Sequence, residues 1–164
     1  TRYIGDWSSD VCSSDLGGTL GTITPATTSG AWVGAFAGAQ WTDTTGRARV
    51  SNYWPANTAY TTGSCVAYFY NDSNIVYEIQ ASGSMAQTTV GNEFNFASVT
   101  AGSTTTGLSA CTLDHSSAVG SGSQGQMRVV DIAPYPGNDW GDSYTIVRVV
   151  CAQSQFFGAF TAIA

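Results

Sequence analysis

The sequence predicts an all-β fold, either an antiparallel β-barrel or a β-sandwich, with short turns and little or no helix. Three observations support this prediction. Helical periodicity is nearly absent, short runs of β-branched and aromatic residues recur along the chain, and clusters of Gly, Ser, Asn and Asp separate those runs. Strands at such regular intervals are typical of sandwiches and barrels.

Six runs are predicted to form strands. In the last of them, Val147, Val149 and Cys151 face one way and the residues between them face the other, which is the period-two pattern of a strand that buries one face. A low-complexity run at Ala101–Gly107 is predicted to be a surface loop within the domain. The six runs are Ala31–Trp41, Cys65–Tyr70, Ile75–Gln80, Glu93–Phe96, Gln126–Ile132 and Tyr144–Cys151.

The first sixteen residues of the chain match a translated sequencing-primer DNA rather than a protein segment. Thr1–Leu16 reads TRYIGDWSSDVCSSDL, and one DNA string, the tail of a common short-read sequencing primer with its index, encodes all of it. We therefore expect an adapter-derived segment at residues 1–16 that is not native and is excluded from the fold. Residues 17–164 are then expected to form a single β domain that is truncated at its N-terminus, and their number suits one hydrophobic core.

The charge of the domain argues against two classes of partner. From residue 17 onward there are four arginines, no lysine and eight acidic residues. So few positive charges neutralise few phosphates, and they provide no basic face for an anionic membrane. We therefore expect neither a nucleic-acid partner nor a membrane partner.

The cysteines and carboxylates of the domain predict no metal or cofactor site. Cys65, Cys111 and Cys151 are an odd set, compatible with three buried thiols or with one bridge and a free thiol, and the buried thiols are favoured. No Cys/His cluster has zinc spacing. Asp139 and Asp142 lack the spacing of a calcium loop.

Catalytic chemistry has few candidate residues. The single histidine, His115, follows Asp114, and this pair is predicted to be a turn at a strand end rather than part of a nucleophilic triad, since no nucleophile elbow surrounds it. A glycosidase needs two carboxylates that flank a sugar, and the only glutamates of the chain are Glu78 and Glu93. Glu78 lies in the middle of a predicted strand and is explained as an outward-facing strand residue. The sequence therefore predicts no catalytic residue, with a small hydrolase as the weakest alternative.

Four aromatic residues in loops are the candidate contact residues. Tyr53, Trp54, Tyr135 and Trp140 fit three roles: a sugar-stacking platform, anchors at a subunit interface, or plain loop packing. A carbohydrate-binding sandwich or adhesin is therefore the alternative function. A glycan array probed with Trp54→Ala and Trp140→Ala would test it.

The order of motifs along the chain points to one family. It runs VGAFAGAQWTD, SNYWPANT, NDSNIVYEIQASGSMAQTTVGNEFNF, GSTTTGLSACTLD and QGQMRVVDIAPYPGNDWGDSYTIVRVVC. In this order and spacing, over most of residues 33–156, the chain resembles the small capsid decoration proteins of tailed bacteriophages, also called cement or head-stabilising proteins. It departs from them in its first residues and at Val150–Phe156, and Gly158–Ala164 has no matching motif.

The resemblance implies a function by binding rather than by chemistry. It implies a virion structural protein that is assembled in the host cytoplasm, binds the major capsid protein at the capsid surface, and forms a homo-oligomer, for which a trimer is expected. No cofactor follows from it. Tyr53, Trp54, Tyr135 and Trp140 are the predicted assembly contacts.

Overall fold

The computed structural model describes residues 2–3, 14–16, 23–55, 57–98 and 109–156. Within these ranges the only helical element is one 3-10 turn, Gln87–Thr89. The eleven strands are β1 Arg2–Tyr3, β2 Ser14–Leu16, β3 Ile23–Pro25, β4 Ala35–Thr42, β5 Ala48–Ser51, β6 Val66–Tyr70, β7 Val76–Gln80, β8 Glu93–Ser98, β9 Thr112–Ala118, β10 Met127–Ile132 and β11 Ile146–Cys151.

The eight strands from β4 onward form two antiparallel sheets. The large sheet has the order β7-β11-β10-β8-β9, and the small sheet has the order β5-β4-β6. The short strand β1 adds to β7 in parallel, and β2 pairs with β3. Because β1 and β2 lie in the segment expected to be adapter-derived, the fold is described from β3 onward. The all-β prediction is confirmed, and the form is a sandwich-like pair of sheets rather than a closed barrel.

The two edges of the large sheet approach each other at one point. Ala81, just after β7, forms a single parallel bridge with Leu113 on β9, and the Ser82 N–H donates to the Leu113 carbonyl at 2.8 Å. The sheet therefore curls around its inner face without closing.

The main core lies on that inner face. On β11, Val147, Val149 and Cys151 are buried as predicted, while Ile146 and Arg148 lie on the outer face. The Trp32 indole packs edge-to-face on Tyr77 and Phe96, with ring centroids 5.6 and 5.8 Å apart, and so joins the segment before β4 to the large sheet. The other buried members include Ile79, Met85, Phe94, Leu113, Met127 and Val129.

Two predictions from the sequence are wrong. Asp114 and His115 are not a turn at a strand end, because they lie within β9. The three buried thiols are also wrong: Cys151 is a buried free thiol, but Cys65 is exposed and Cys111 is disulfide-bonded. Burial raises the pKa of Cys151 to about 11 despite the opposing contact with the Trp32 indole, so this thiol stays protonated at neutral pH.

Glu78, which was predicted to face outward, and Glu93 both lie on the outer face of the large sheet, where each is buried against an arginine. The Glu93 carboxylate accepts from Arg128 Nη2 at 2.7 Å and from the Gly125 N–H at 2.8 Å. Glu78 accepts from Arg148 Nε at 3.2 Å on the neighbouring strand. Buried carboxylates with such partners are explained by structure alone. The run predicted as a loop at residues 101–107 and the tail at 158–164 lie outside the described residues.

Candidate assembly surface

The small sheet carries an uncovered face. Strand pairing places Gln40 of β4 opposite Val50 of β5 and Val66 of β6, and Tyr68 lies on the same face because it is two residues along β6. Val50 is 77% exposed, Val66 50% and Tyr68 49%. We call Gln40, Val50, Val66 and Tyr68 the open face. The Tyr68 hydroxyl donates to Gln40 Oε1 at 3.2 Å, so two of its side chains are fixed to each other.

The opposite face of the small sheet is packed. Phe36, Ala39 and Trp41 of β4 are buried and contact Trp54 and Phe69, forming a second hydrophobic cluster apart from the main core. The Trp41 and Trp54 rings lie edge-to-face, 5.2 Å apart. One side of the sheet is thus anchored while the other stays free.

Two glycines let the neighbouring strands approach β4 closely. A Cβ on Gly38 would lie 2.8 Å from the Ser51 carbonyl oxygen, and one on Gly34 would lie 2.4 Å from the Tyr70 carbonyl oxygen. Both also adopt positive φ, 137° and 157°. The small sheet therefore requires glycine at these positions.

One carboxylate closes the β4–β5 hairpin. Asp43 Oδ1 accepts from the Thr45 and Arg47 N–H groups at 2.9 and 3.0 Å and from the Thr45 hydroxyl at 2.7 Å. Its Oδ2 accepts from Arg49 Nε at 2.9 Å. These donors, the Thr45 hydroxyl first, hold the pKa of Asp43 well below its usual range. The charged side chains of the hairpin are Asp43 and Arg47 at the turn and Arg49 opposite Trp41 on the packed side, so the open face has no charged side chain.

Of the four predicted contact residues, the first two belong to the small sheet. Tyr53 is half-buried just after β5, and its N–H donates to Ser51 Oγ at 3.2 Å. Trp54 is also half-buried, because Trp41 lies against one side and Tyr60, at 5.5 Å between centroids, against another. Trp54 therefore supports the sheet from its packed side.

The other two predicted contacts belong to the β10–β11 loop. The Tyr135 hydroxyl donates to Glu78 Oε2 at 2.5 Å, and its ring is 44% exposed. Trp140 is half-buried against the main core. The structure therefore divides the four residues between two regions and does not bring them into one surface.

Among the described residues, the side chain of the single histidine is hydrogen-bonded to one other side chain. His115 Nδ1 lies 2.9 Å from the Ser82 hydroxyl, and the His115 N–H donates to the same oxygen at 3.3 Å. The Asp114 carboxylate instead accepts from the Ser116 and Ser117 hydroxyls, both at 2.7 Å, which lower its pKa. A triad needs the acid to orient the imidazole. The observed contacts serve to join β9 to the segment after β7.

No metal or membrane element is found in the described part of the chain. Its His, Cys, Asp and Glu side chains nowhere gather in threes that could hold an ion. Residues 23–55, 57–98 and 109–156 contain no helix with the length and apolar character needed to cross a bilayer.

The sequence reasoning missed the residues of the open face. Val66 and Tyr68 lie in a predicted strand, CVAYFY, whose period-two pattern places them on one face, but the sequence does not say which face is covered. Val50 lies in β5, which was not predicted as a strand.

Comparison with known protein families, with curated proteins and with solved structures finds no match for this chain.

Proposed function

We propose that this protein is a non-enzymatic virion structural protein that binds and stabilises a bacteriophage capsid through the open face of its small sheet. The observation that carries the proposal is the exposure of Val50, Val66 and Tyr68 together on one sheet face. Adjacent apolar side chains exposed on a domain surface mark a contact site. The motif order described above indicates which class of partner to test.

The chemistry of the open face suits contact with another protein. The face is uncharged, and its centre combines two valines with a tyrosine and an amide. Contact centres between proteins are depleted in charge and enriched in tyrosine. The acidic character of the domain, which has four arginines and eight acidic residues from residue 17 onward and so a formal charge of −4, keeps other surfaces apart in solution.

The rigidity of the small sheet favours binding. Trp41 and Trp54 pack its rear face, and Asp43 fixes the turn between β4 and β5. A preformed surface loses little conformational entropy when it docks. Many copies on one shell then turn a weak contact into a strong one.

The direct experiment first reads the DNA that flanks this gene, where we expect a major capsid protein gene, and then uses shells assembled from that capsid protein. We expect the protein to co-sediment with expanded empty shells and to raise their melting temperature. Failure to bind over a range of salt concentrations, with shells of confirmed expanded form, would contradict the proposal.

Variants of the open face test the surface itself. Val66→Ser with Tyr68→Ser removes apolar area from the proposed contact, and we expect shell binding to weaken by at least tenfold while the fold is kept. The matched control is Val90→Ser, which alters an apolar side chain that is 44% exposed beyond the small sheet. Equal binding by the control and the double variant would place the contact elsewhere.

A further inference from the structure

Strand β5 is an unpaired edge. It is the end strand of the order β5-β4-β6, and Ala48, Arg49 and Val50 are all exposed. The Asp43 N–H donates to the Arg47 carbonyl at 2.9 Å, so these two residues form a hydrogen-bonded pair of the β4–β5 ladder. Hydrogen-bonded pairs alternate with non-hydrogen-bonded pairs along an antiparallel ladder. Arg49 and Ser51 therefore also point their backbone N–H and C=O groups toward β4. The N–H and C=O groups of Ala48 and Val50 therefore point away from the sheet, with no partner among the described residues. An edge of this kind is a template for another strand.

We propose that β5 pairs with β5 of a second copy of this chain, antiparallel and about a twofold axis through Val50. This pairing gives a dimer, where the resemblance implied a trimer. The Val50 N–H of each copy would then donate to the Val50 carbonyl of the other. A symmetric pair of identical edges is the self-complementary contact from which closed dimers form.

The charges on the strand select this register. If the axis passed through Arg49, the two Arg49 side chains would lie opposite each other. If it passed through Ala48, Arg49 would lie opposite Arg47 of the partner subunit. With the axis at Val50, Arg49 lies opposite Ser51 of the partner subunit, and Arg47 opposite Tyr53 of the partner subunit. Since like charges directly opposite destabilise a strand pair, the register at Val50 is favoured over those at Ala48 and Arg49. An axis at Ser51 also avoids like charges, but it would place only Ser51 of each β5 opposite the other β5.

The same register joins the two open faces. The two Val50 side chains would lie next to each other at the centre of the joined face, with Gln40 and then Val66 following on either side. The two three-stranded sheets would then form one six-stranded sheet. The contact is short, because β5 has four residues, and we expect a weak dimer. On a shell, the joined face would offer two contact sites at once.

This inference deepens the proposed function by naming a partner for the same sheet, but it can fail separately. A monomer that still binds shells would overturn the twofold pairing alone. A dimer that binds no shell would overturn the capsid proposal alone.

The first test measures association by sedimentation equilibrium of the whole chain over a range of concentrations. We expect a concentration-dependent dimer that Val50→Pro reduces at least tenfold, because proline lacks the outward N–H yet is tolerated on an edge strand. The matched control, Val50→Thr, keeps the N–H and the β preference and should still dimerise. Circular dichroism confirms that each variant is folded.

The second test reads the register by oxidative cross-linking in a Cys65→Ser background, which removes the exposed native thiol. Val50→Cys lies on the proposed axis and should form a covalent dimer. Ala48→Cys should not, because its two copies would lie about 13 Å apart along the strands. A monomer at all concentrations, a trimer, a dimer unaffected by Val50→Pro, or equal cross-linking at both positions would each overturn the inference.

Discussion

Gln126 ties the segment before β4 to the core of the large sheet. Its side chain is 1% exposed, and its Nε2 donates to the carbonyls of Thr27 and Gly30 at 3.1 and 3.0 Å. Its Oε1 accepts from the Phe96 N–H at 3.0 Å. One amide therefore bonds three backbone groups, of which the Phe96 N–H is in a buried residue, and an apolar side chain cannot do so.

We predict that Gln126→Leu lowers the free energy of unfolding by about 3 kcal/mol, since similar volume is kept but backbone partners lose their hydrogen bonds. Chemical denaturation measures this change. Gln87→Leu, at an exposed position, serves as the control and should shift stability by less than about 0.5 kcal/mol. Equal effects of the two variants would show that the amide contacts contribute nothing.

Asp43 gives the small sheet a defined response to acid. Its pKa is lowered from 3.8 in the folded state, so the carboxylate stabilises the fold above the unfolded pKa. That contribution is lost as the pH falls below about 4 toward the lower folded pKa. We predict that Asp43→Asn lowers the melting temperature at pH 7 and that the difference from the parent protein shrinks between pH 4 and pH 2.

The control for Asp43→Asn is Asp139→Asn, at an exposed position in the β10–β11 loop. It should leave the pH profile of the parent protein in place. A difference between Asp43→Asn and the parent that is constant from pH 7 to pH 2 would contradict the role given to the carboxylate.

At the scale of the element, strand position determines local stability. β11 lies between β7 and β10, and its inner residues Val147 and Val149 are completely buried. β5 has one neighbour, and most of its residues are exposed. Backbone groups open most easily where few buried contacts hold them.

Hydrogen exchange followed by NMR measures this contrast. We predict that the amides of β11 exchange most slowly and that those of Ala48 and Val50 exchange quickly in dilute solution. Fast exchange throughout β11 would contradict the described core.

The sequence predicts the strands whose side chains alternate clearly. β7 and β11 lie within the predicted runs at residues 75–80 and 144–151, because each alternates apolar residues with a polar or charged one. β5 and β9 were missed. β5 reads ARVS and β9 reads TLDHSSA, so neither has the run of alternating apolar residues by which a strand is predicted from sequence. Pairing with β4 and β8 defines them, and such pairing is not a local property.

The candidate contacts show the same limit. Trp54 and Trp140 are large aromatics in loops, for which the sequence left an exposed contact and plain packing open, and both pack against hydrophobic clusters. Val66 and Tyr68 lie in a strand with apolar residues on both faces, and they are about half exposed. Tertiary packing decides which face of a strand is covered, so the sequence identifies the strand and its two faces but not the free one.

In the molecule as a whole, the large sheet contains the main core and the small sheet carries the exposed face. The large sheet curls around the main core and joins its own edges through Ala81 and Leu113. The small sheet has its own hydrophobic cluster and leaves one face open. A stable body that carries a rigid, uncharged open face fits the proposed function of attachment to a shell.

Cryo-electron microscopy of shells assembled with the protein would test the central claim most directly. We predict that Val66 and Tyr68 of the open face lie against the shell or against a neighbouring copy, with the curled large sheet projecting away. A reconstruction in which those side chains face solvent while another surface contacts the shell would contradict it.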